Sequence, residues 1–204
     1  MDHGRPKRAM TREDWYERFP RVREAGWGIA DDGFHEREVT HEAASMLAHV
    51  PIDEPWLGAE IGVAQAKSAS IMLHRRPLIR LVLVDNWIGW REVREIADHH
   101  LSRFDPGRYT IIDRDSTEAA AQFPDKHFDY VFVDASKTPP KYRMDLEAWL
   151  PKVRPGGIFA GHDVCRFVKD GVDHVLEDVK VVAAAAGAAL NLVPEWYSWW
   201  WKVE

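Results

Sequence analysis

The sequence predicts an α/β domain built on a doubly wound, mostly parallel sheet, with helices on both faces and a C-terminal antiparallel hairpin. Three observations carry the prediction. Short apolar, β-branched runs recur from residue 56 onward, stretches with room for crossover helices separate them, and residues 190–203 fall into two extended runs around Pro194.

The expected strands are residues 57–63, 78–84, 109–112, 128–133 and 157–160. Each has the length of a strand buried on both faces. Residues 88–101 and 141–150 have room for helices, and right-handed crossovers follow as the default. Val168, Val172, Val175, Leu176 and Val179 recur at helical steps, so the stretch after Cys165 reads as an amphipathic helix that closes the sheet. Residues 190–193 and 199–203 are the two strands of the hairpin. Residues 1–50 lack the alternation and carry Trp15, Tyr16, Trp27 and Phe34 among charges, with one expected helix over 41–50. They read as a cap over the sheet's edge, belonging to the same domain as residues 51–204.

A chain of 204 residues with 46% hydrophobic content suits one domain with one core. A net charge of −6 repels a phosphate backbone, so no nucleic-acid partner is expected. The basic group Arg5, Lys7, Arg8 and Arg12 reads as a solvated terminus. Cys165 is the only cysteine, which excludes an internal disulfide, fits a reducing compartment and suggests a small packed side chain. The first thirty residues hold no apolar signal-peptide core, and the weakly polar run 181–190 falls far short of the roughly 20 residues of a membrane span. The expectation is a soluble cytoplasmic protein with no membrane partner. Oligomeric state is not readable, which leaves a homo-oligomer open.

The first strand runs into Glu60-Ile61-Gly62-Val63-Ala64-Gln65-Ala66-Lys67-Ser68. Glycine there lets a ligand approach the backbone, and Ser68 stands where an N-cap should begin the next helix. A dinucleotide fingerprint requires glycines at 62, 64 and 67, but Ala64 and Lys67 fill the last two places, which argues against NAD. Asp85 ends the second strand, where an acid can accept both hydroxyls of a ribose. Asp115-Ser116 begins a helix after the third strand and suits either a cap or an adenine contact. The fourth strand ends in Asp134-Ala135-Ser136-Lys137 and the fifth in Gly161-His162-Asp163. Adjacent strands thus bring Asp134, Lys137, His162 and Asp163 to the crevice where open α/β sheets bind ligands.

Four motifs run in order: Glu60-Ile61-Gly62, Val84-Asp85-Asn86-Trp87, Phe128-Asp129-Tyr130-Val131-Phe132-Val133-Asp134, and Leu150-Pro151-Lys152-Val153-Arg154-Pro155-Gly156-Gly157. Together they resemble the class I S-adenosylmethionine-dependent methyltransferases, and among them the small-molecule O-methyltransferases, over residues 56–164. The resemblance implies a Rossmann-like methyltransferase fold that binds S-adenosylmethionine and moves its methyl group to a hydroxyl of a small molecule. It places Glu60 and Gly62 against the methionine part, with Ser68 and Asp134 in the same crevice, Asp85 on the ribose, and Asp115 and Ser116 near the adenine. Catechol-type and caffeoyl-CoA-type members carry Asp-x-x-Lys after strand four and Asp-Asn after strand five as metal ligands and base. Asp134 and Lys137 match the first pair, while His162 and Asp163 hold the places of the second with different residue types. The resemblance therefore implies Lys137 or His162 as the base, and Asp134, His162 and Asp163 as ligands of a divalent metal such as Mg²⁺.

Two departures stand out. Ala66 replaces a glycine of the family, and a Cβ at φ > 0 costs roughly 1 kcal/mol. His162 is the other, because Mg²⁺ prefers hard oxygen ligands while imidazole suits Zn²⁺, Fe²⁺, Mn²⁺ or Ni²⁺. Two further functions stay open on the sequence. One is a methyltransferase-fold binding protein without turnover; the other is a transition-metal enzyme on the same fold using Asp134, His162 and Asp163.

Overall fold

Five parallel strands form the centre of the fold: β1 (Leu57–Ile61), β2 (Arg80–Asp85), β3 (Tyr109–Asp113), β4 (Phe128–Val133) and β5 (Val153–Gly161). This is a computed structural model, and it describes residues 9–32, 39–166, 168–169 and 171–204. Arg5, Lys7, Arg8 and Phe34 lie outside them. β8 (Asn191–Val193) and β9 (Ser198–Lys202) complete a seven-stranded sheet in the order β3-β2-β1-β4-β5-β9-β8. β9 runs antiparallel to both β5 and β8, as the expected hairpin requires.

Alternation along each strand sorts the core into two layers. Leu81, Leu83, Tyr130, Phe132, Ile158 and Ala160 face one layer. It is covered by α1 (Arg12–Arg18), α2 (Pro20–Glu24), α3 (His41–Leu47), α4 (Lys67–Arg75) and α5 (Arg91–Leu101), through Trp15, Val22, Met46, Leu73 and Ile96. Val82, Val84, Val131, Val133 and Phe159 face the other layer. There α6 (Ser116–Ala120), α7 (Lys141–Trp149) and α8 (His174–Ala185) pack through Ala119, Leu146, Trp149 and Val179. Helices on both faces are what continuous apolar strands demand.

Three details correct the sequence reading. The N-terminal segment holds three helices among the described residues instead of one, because α1 and α2 are too short to display a helical period. Thr11 starts α1 with a capping box and Pro20 begins α2. The helix expected from Val168 begins only at His174. Gly171, at φ 76°, turns the chain between β6 (Val168–Lys169) and β7 (Val172–Asp173), and Asp173 then caps the helix by accepting from the Leu176 N–H at 3.0 Å. Val168 and Val172 are consequently exposed. Cys165 is exposed as well, in a left-handed turn at φ 65°, and is not a packed core side chain. Among the described residues no helix is long and apolar enough to cross a membrane.

Candidate active site

The parallel strands deliver their carboxyl ends to one edge, and the loop after β1 is the first part of the site. Gly62 has φ 89°, and a Cβ there would strike the Asp134 carbonyl and the Ala135 Cα. Ala64 and Ala66 are also left-handed, at φ 48° and 57°, so the Cβ strain expected at Ala66 is present and occurs twice. Hydrogen bonds hold this loop. Asp85 accepts from the N–H groups of Val63, Ala64 and Trp87, each at 2.9 Å, while the Trp87 indole donates to the Ala64 carbonyl at 2.8 Å. His100 Nδ1 meets the Gln65 carbonyl at 2.9 Å, and burial pushes this imidazole down to about 4, so it is neutral near pH 7.

Ser68 does not cap α4. Ala66 occupies the N-cap in its left-handed conformation, leaving the Ser68 hydroxyl to donate to Glu60. Glu60 is 1% exposed, and its second oxygen has no partner among the described residues. Burial pushes its carboxyl up to about 8 against the Ser68 hydrogen bond, with Asp134, Glu42 and Asp85 adding repulsion. Glu60 is therefore a neutral acid at pH 7.

The second part lies beyond β3. Asp115 is the N-cap of α6, accepting from the Thr117 N–H at 2.9 Å. Lys141 Nζ reaches Asp115 at 3.0 Å, Ser116 Oγ at 3.0 Å and Asp145 at 2.9 Å. Against burial, the Thr117 and Lys141 contacts hold Asp115 down to about 2. Asp145 is fully buried and pushed upward by that burial, despite Ser116 and Lys141.

The third part joins β4 and β5. Lys137 Nζ lies 2.8 Å from Asp134 and 3.2 Å from Asp163, and it also donates to the Ala135 carbonyl at 2.7 Å. His162 Nδ1 meets Asp163 at 3.1 Å, and Arg166 meets the same oxygen at 3.1 Å. Against burial, His162 and Lys137 hold Asp163 below the usual carboxylate range. Burial pushes Asp134 upward, outweighing the Lys137 ammonium, and Asp163 adds repulsion. For His162 burial works downward, but the Asp163 hydrogen bond and the Asp134 and Glu42 charges raise it overall.

These parts border one cavity of about 1020 Å³, lined by Gly62, Ser68, Asp85, Asp115, Ser116 and Asp134 among others. Of the residues expected from sequence, those six reach its wall. Glu60 sits behind Ser68, and Lys137, His162 and Asp163 form a layer behind Asp134. Among the lining residues that the sequence did not single out, three bear on the site's electrostatics. Lys141 and Asp145 share one face of α7 at the i,i+4 spacing, which is the spacing of any helical ion pair. Glu42 comes from α3 in the N-terminal segment; its ligand atom and those of Asp134 and His162 all lie within 4.8 Å of one another.

A model of the methyltransferase-domain family matches residues 59–164. The chain belongs to the class I methyltransferase family. Within this methyltransferase domain the match runs from β1 to the turn after β5 and does not reach Glu42. No curated protein matches the domain in sequence. Its fold is shared with precorrin-6y C5,15-methyltransferase of Geobacter metallireducens, at TM-score 0.58 and 15% identity over 74% of this chain and 72% of that one. A Corynebacterium glutamicum protein aligns at TM-score 0.62 and 12% identity, covering 93% and 88% of the two chains. A Staphylococcus aureus protein assigned as a caffeoyl-CoA O-methyltransferase aligns at TM-score 0.60 and 15% identity, covering 85% and 96%. At these identities the likeness establishes the methyltransferase fold.

Proposed function

We propose that the chain binds S-adenosylmethionine in this cavity and methylates a hydroxyl of a small molecule. The continuity of the cavity carries the reading: it runs from the left-handed loop and Asp85, past Ser116, to Asp134 and Glu42. Its size suits a ligand of cofactor dimensions with an acceptor beside it. The lining is polar where a ligand would be held, with Ser68, Asp85, Ser116 and Asp134 all at the wall.

S-adenosylmethionine supplies a methyl group on a positively charged sulfur, open to in-line attack by the acceptor oxygen. The chain's part is to bind, orient and take a proton. Asp85 has roughly four acceptor sites on its carboxylate. Three are used by backbone N–H groups, so it fixes the loop and keeps capacity for a ribose hydroxyl. Ser116 and Asp115, steadied by Lys141, border the adenine end. At the opposite end the acceptor hydroxyl lies against Glu42 and Asp134. The three N–H groups of Lys137 are matched by Asp134, Ala135 and Asp163, so Lys137 positions both carboxylates. The acceptor's proton passes to a carboxylate oxygen of Glu42 or Asp134, the two acids that line this end of the cavity. Asp134 and His162 suit a divalent metal, since the pair offers an oxygen and an imidazole nitrogen, and a cation there would favour the alkoxide.

The test is calorimetric titration with S-adenosylhomocysteine, followed by transfer of a labelled methyl group to a panel of catechols, sugars and other alcohols. Saturable binding with turnover on a hydroxyl supports the reading. Binding without turnover on any acceptor would favour a cofactor-binding protein, and no binding would refute the reading.

A further inference from the structure

Glu42 is the acid at the cavity wall that lies outside the family match, and its surroundings are specific. Among the described residues it makes no hydrogen bond or ion pair, although one of its oxygens lies within 4.8 Å of ligand atoms of both Asp134 and His162. His162 is 1% exposed, and its Nε2 has no partner among the described residues. A buried ring nitrogen left unpaired is costly, and a ligand held between it and the Glu42 and Asp134 carboxylates would satisfy it.

We propose that Glu42, Asp134 and His162 form a divalent-metal site of mixed oxygen and nitrogen character, in which the N-terminal segment supplies one ligand and is fastened to the sheet by the ion. Ligands on opposite sides of an ion that binds at roughly 2.0–2.3 Å stand about 4.0–4.6 Å apart. The three side chains therefore close around a single cation with small adjustments. Asp163, expected among the ligands, is committed elsewhere: one oxygen meets His162 and Arg166, the other Lys137. Its place is behind the imidazole, accepting from Nδ1 and turning Nε2 toward the ion, as carboxylates behind metal-bound histidines do. Lys137 holds one oxygen of Asp134 and leaves the other without a hydrogen bond among the described residues.

The donor set decides the class of ion. Two carboxylates and an imidazole suit Mn²⁺, Fe²⁺, Co²⁺ or Zn²⁺ better than Mg²⁺ or Ca²⁺, which favour oxygen alone. Thr40 caps α3 by accepting from the Ala43 N–H at 3.2 Å, fixing the helical turn from which Glu42 projects, while Ala43 and Met46 anchor α3 in the core. An ion bound here consequently joins α3 to the ends of β4 and β5.

The experiment uses the full chain, stripped with a chelator and titrated with Mn²⁺ by calorimetry in the absence of any cofactor. One ion per chain is expected, with a higher melting temperature and nitrogen modulation in the pulsed EPR spectrum of the bound Mn²⁺. Glu42→Gln should weaken Mn²⁺ at least tenfold and abolish the melting shift. Glu42 makes no hydrogen bond or ion pair among the described residues, so its variant removes the ligand without breaking a contact of the fold, and a native circular-dichroism spectrum of the metal-free variant serves as the check. His162→Asn should remove the nitrogen modulation. Stoichiometric uptake lacking in the wild type, or wild-type affinity in Glu42→Gln, overturns the proposal. Metal uptake without methyl transfer leaves it standing and counts against the methylation reading alone; methyl transfer without metal uptake does the reverse.

Discussion

Ser68 donates its hydroxyl to the buried carboxyl of Glu60, and this bond joins the first turn of α4 to the middle of the sheet. Glu60 keeps its proton to about pH 8 in the folded protein, against an ordinary value of 4.5. Below pH 4.5 both states hold the proton and the residue is silent. Between these limits the unfolded chain releases the proton and the folded one retains it, so stability falls as pH rises and levels off above about 8. Glu60→Gln should remove this contribution. Urea unfolding at pH 5 and pH 8.5, roughly spanning the window, should show the variant gaining on the wild type at the higher value. Parallel curves would contradict the assignment.

Asp85 holds the Val63 and Ala64 N–H groups of the loop after β1 and the Trp87 N–H of its own turn, so its loss should be felt twice. Asp85→Ala is expected to weaken S-adenosylhomocysteine by about 1–3 kcal/mol, through lost charge-assisted hydrogen bonds and a loosened loop. Asp85→Asn, which keeps an acceptor oxygen, should fall between. Calorimetry that finds Asp85→Ala equal to the wild type would remove Asp85 from the binding site.

Lys141 and Asp145 are an ion pair with one wholly buried partner, and such pairs punish half-removal. Lys141→Met should cost roughly 1–3 kcal/mol, less than a fully buried pair because the lysine is partly solvated. Combining it with Asp145→Leu should restore part of that loss. A double variant no more stable than Lys141→Met in urea would show that Asp145 is not relying on the lysine.

Gly62→Ala and Gly187→Ala separate backbone strain from crowding. Both glycines have positive φ, but space around Gly187 is open within 4 Å, whereas Gly62 abuts Asp134 and Ala135. The Gly187 variant should lose about 1 kcal/mol. The Gly62 variant should lose that and roughly 1–3 kcal/mol more from overpacking, together with cofactor affinity. Equal losses in thermal unfolding would place the close contact in error.

The sheet was legible because strands covered on both faces appear as unbroken apolar runs, and because Asp134, Lys137, His162 and Asp163 follow directly from neighbouring strand ends. Other features depend on information that local sequence does not hold. Glu42 belongs to a seven-residue helix, far in the chain from β4, and only packing against α4 brings it to the site. Glu60 was expected at the ligand, yet whether a strand residue reaches a cavity depends on what the next helix puts in front of it, here Ser68. The valine spacing at Val168 and Val172 fits a helix as well as it fits a turn; Gly171 and the Asp173 cap decide in favour of the turn. Lys141 and Asp145 had the spacing of an ordinary surface pair, and nothing in it announced burial.

The position of β9 bears on how the chain avoids self-association. β5 is an interior strand only because β9 lies against it, with Ile158 to Gly161 paired to Lys202 through Trp199. Until residues 198–202 dock, β5 presents an unprotected apolar edge, and the space taken by the buried Trp199 and Trp201 stands open beside Phe159. An exposed edge of that kind is a template for pairing with another copy. A chain cut before Ser198 should therefore accumulate as insoluble aggregate even though every residue that lines the cavity at the strand ends is still present.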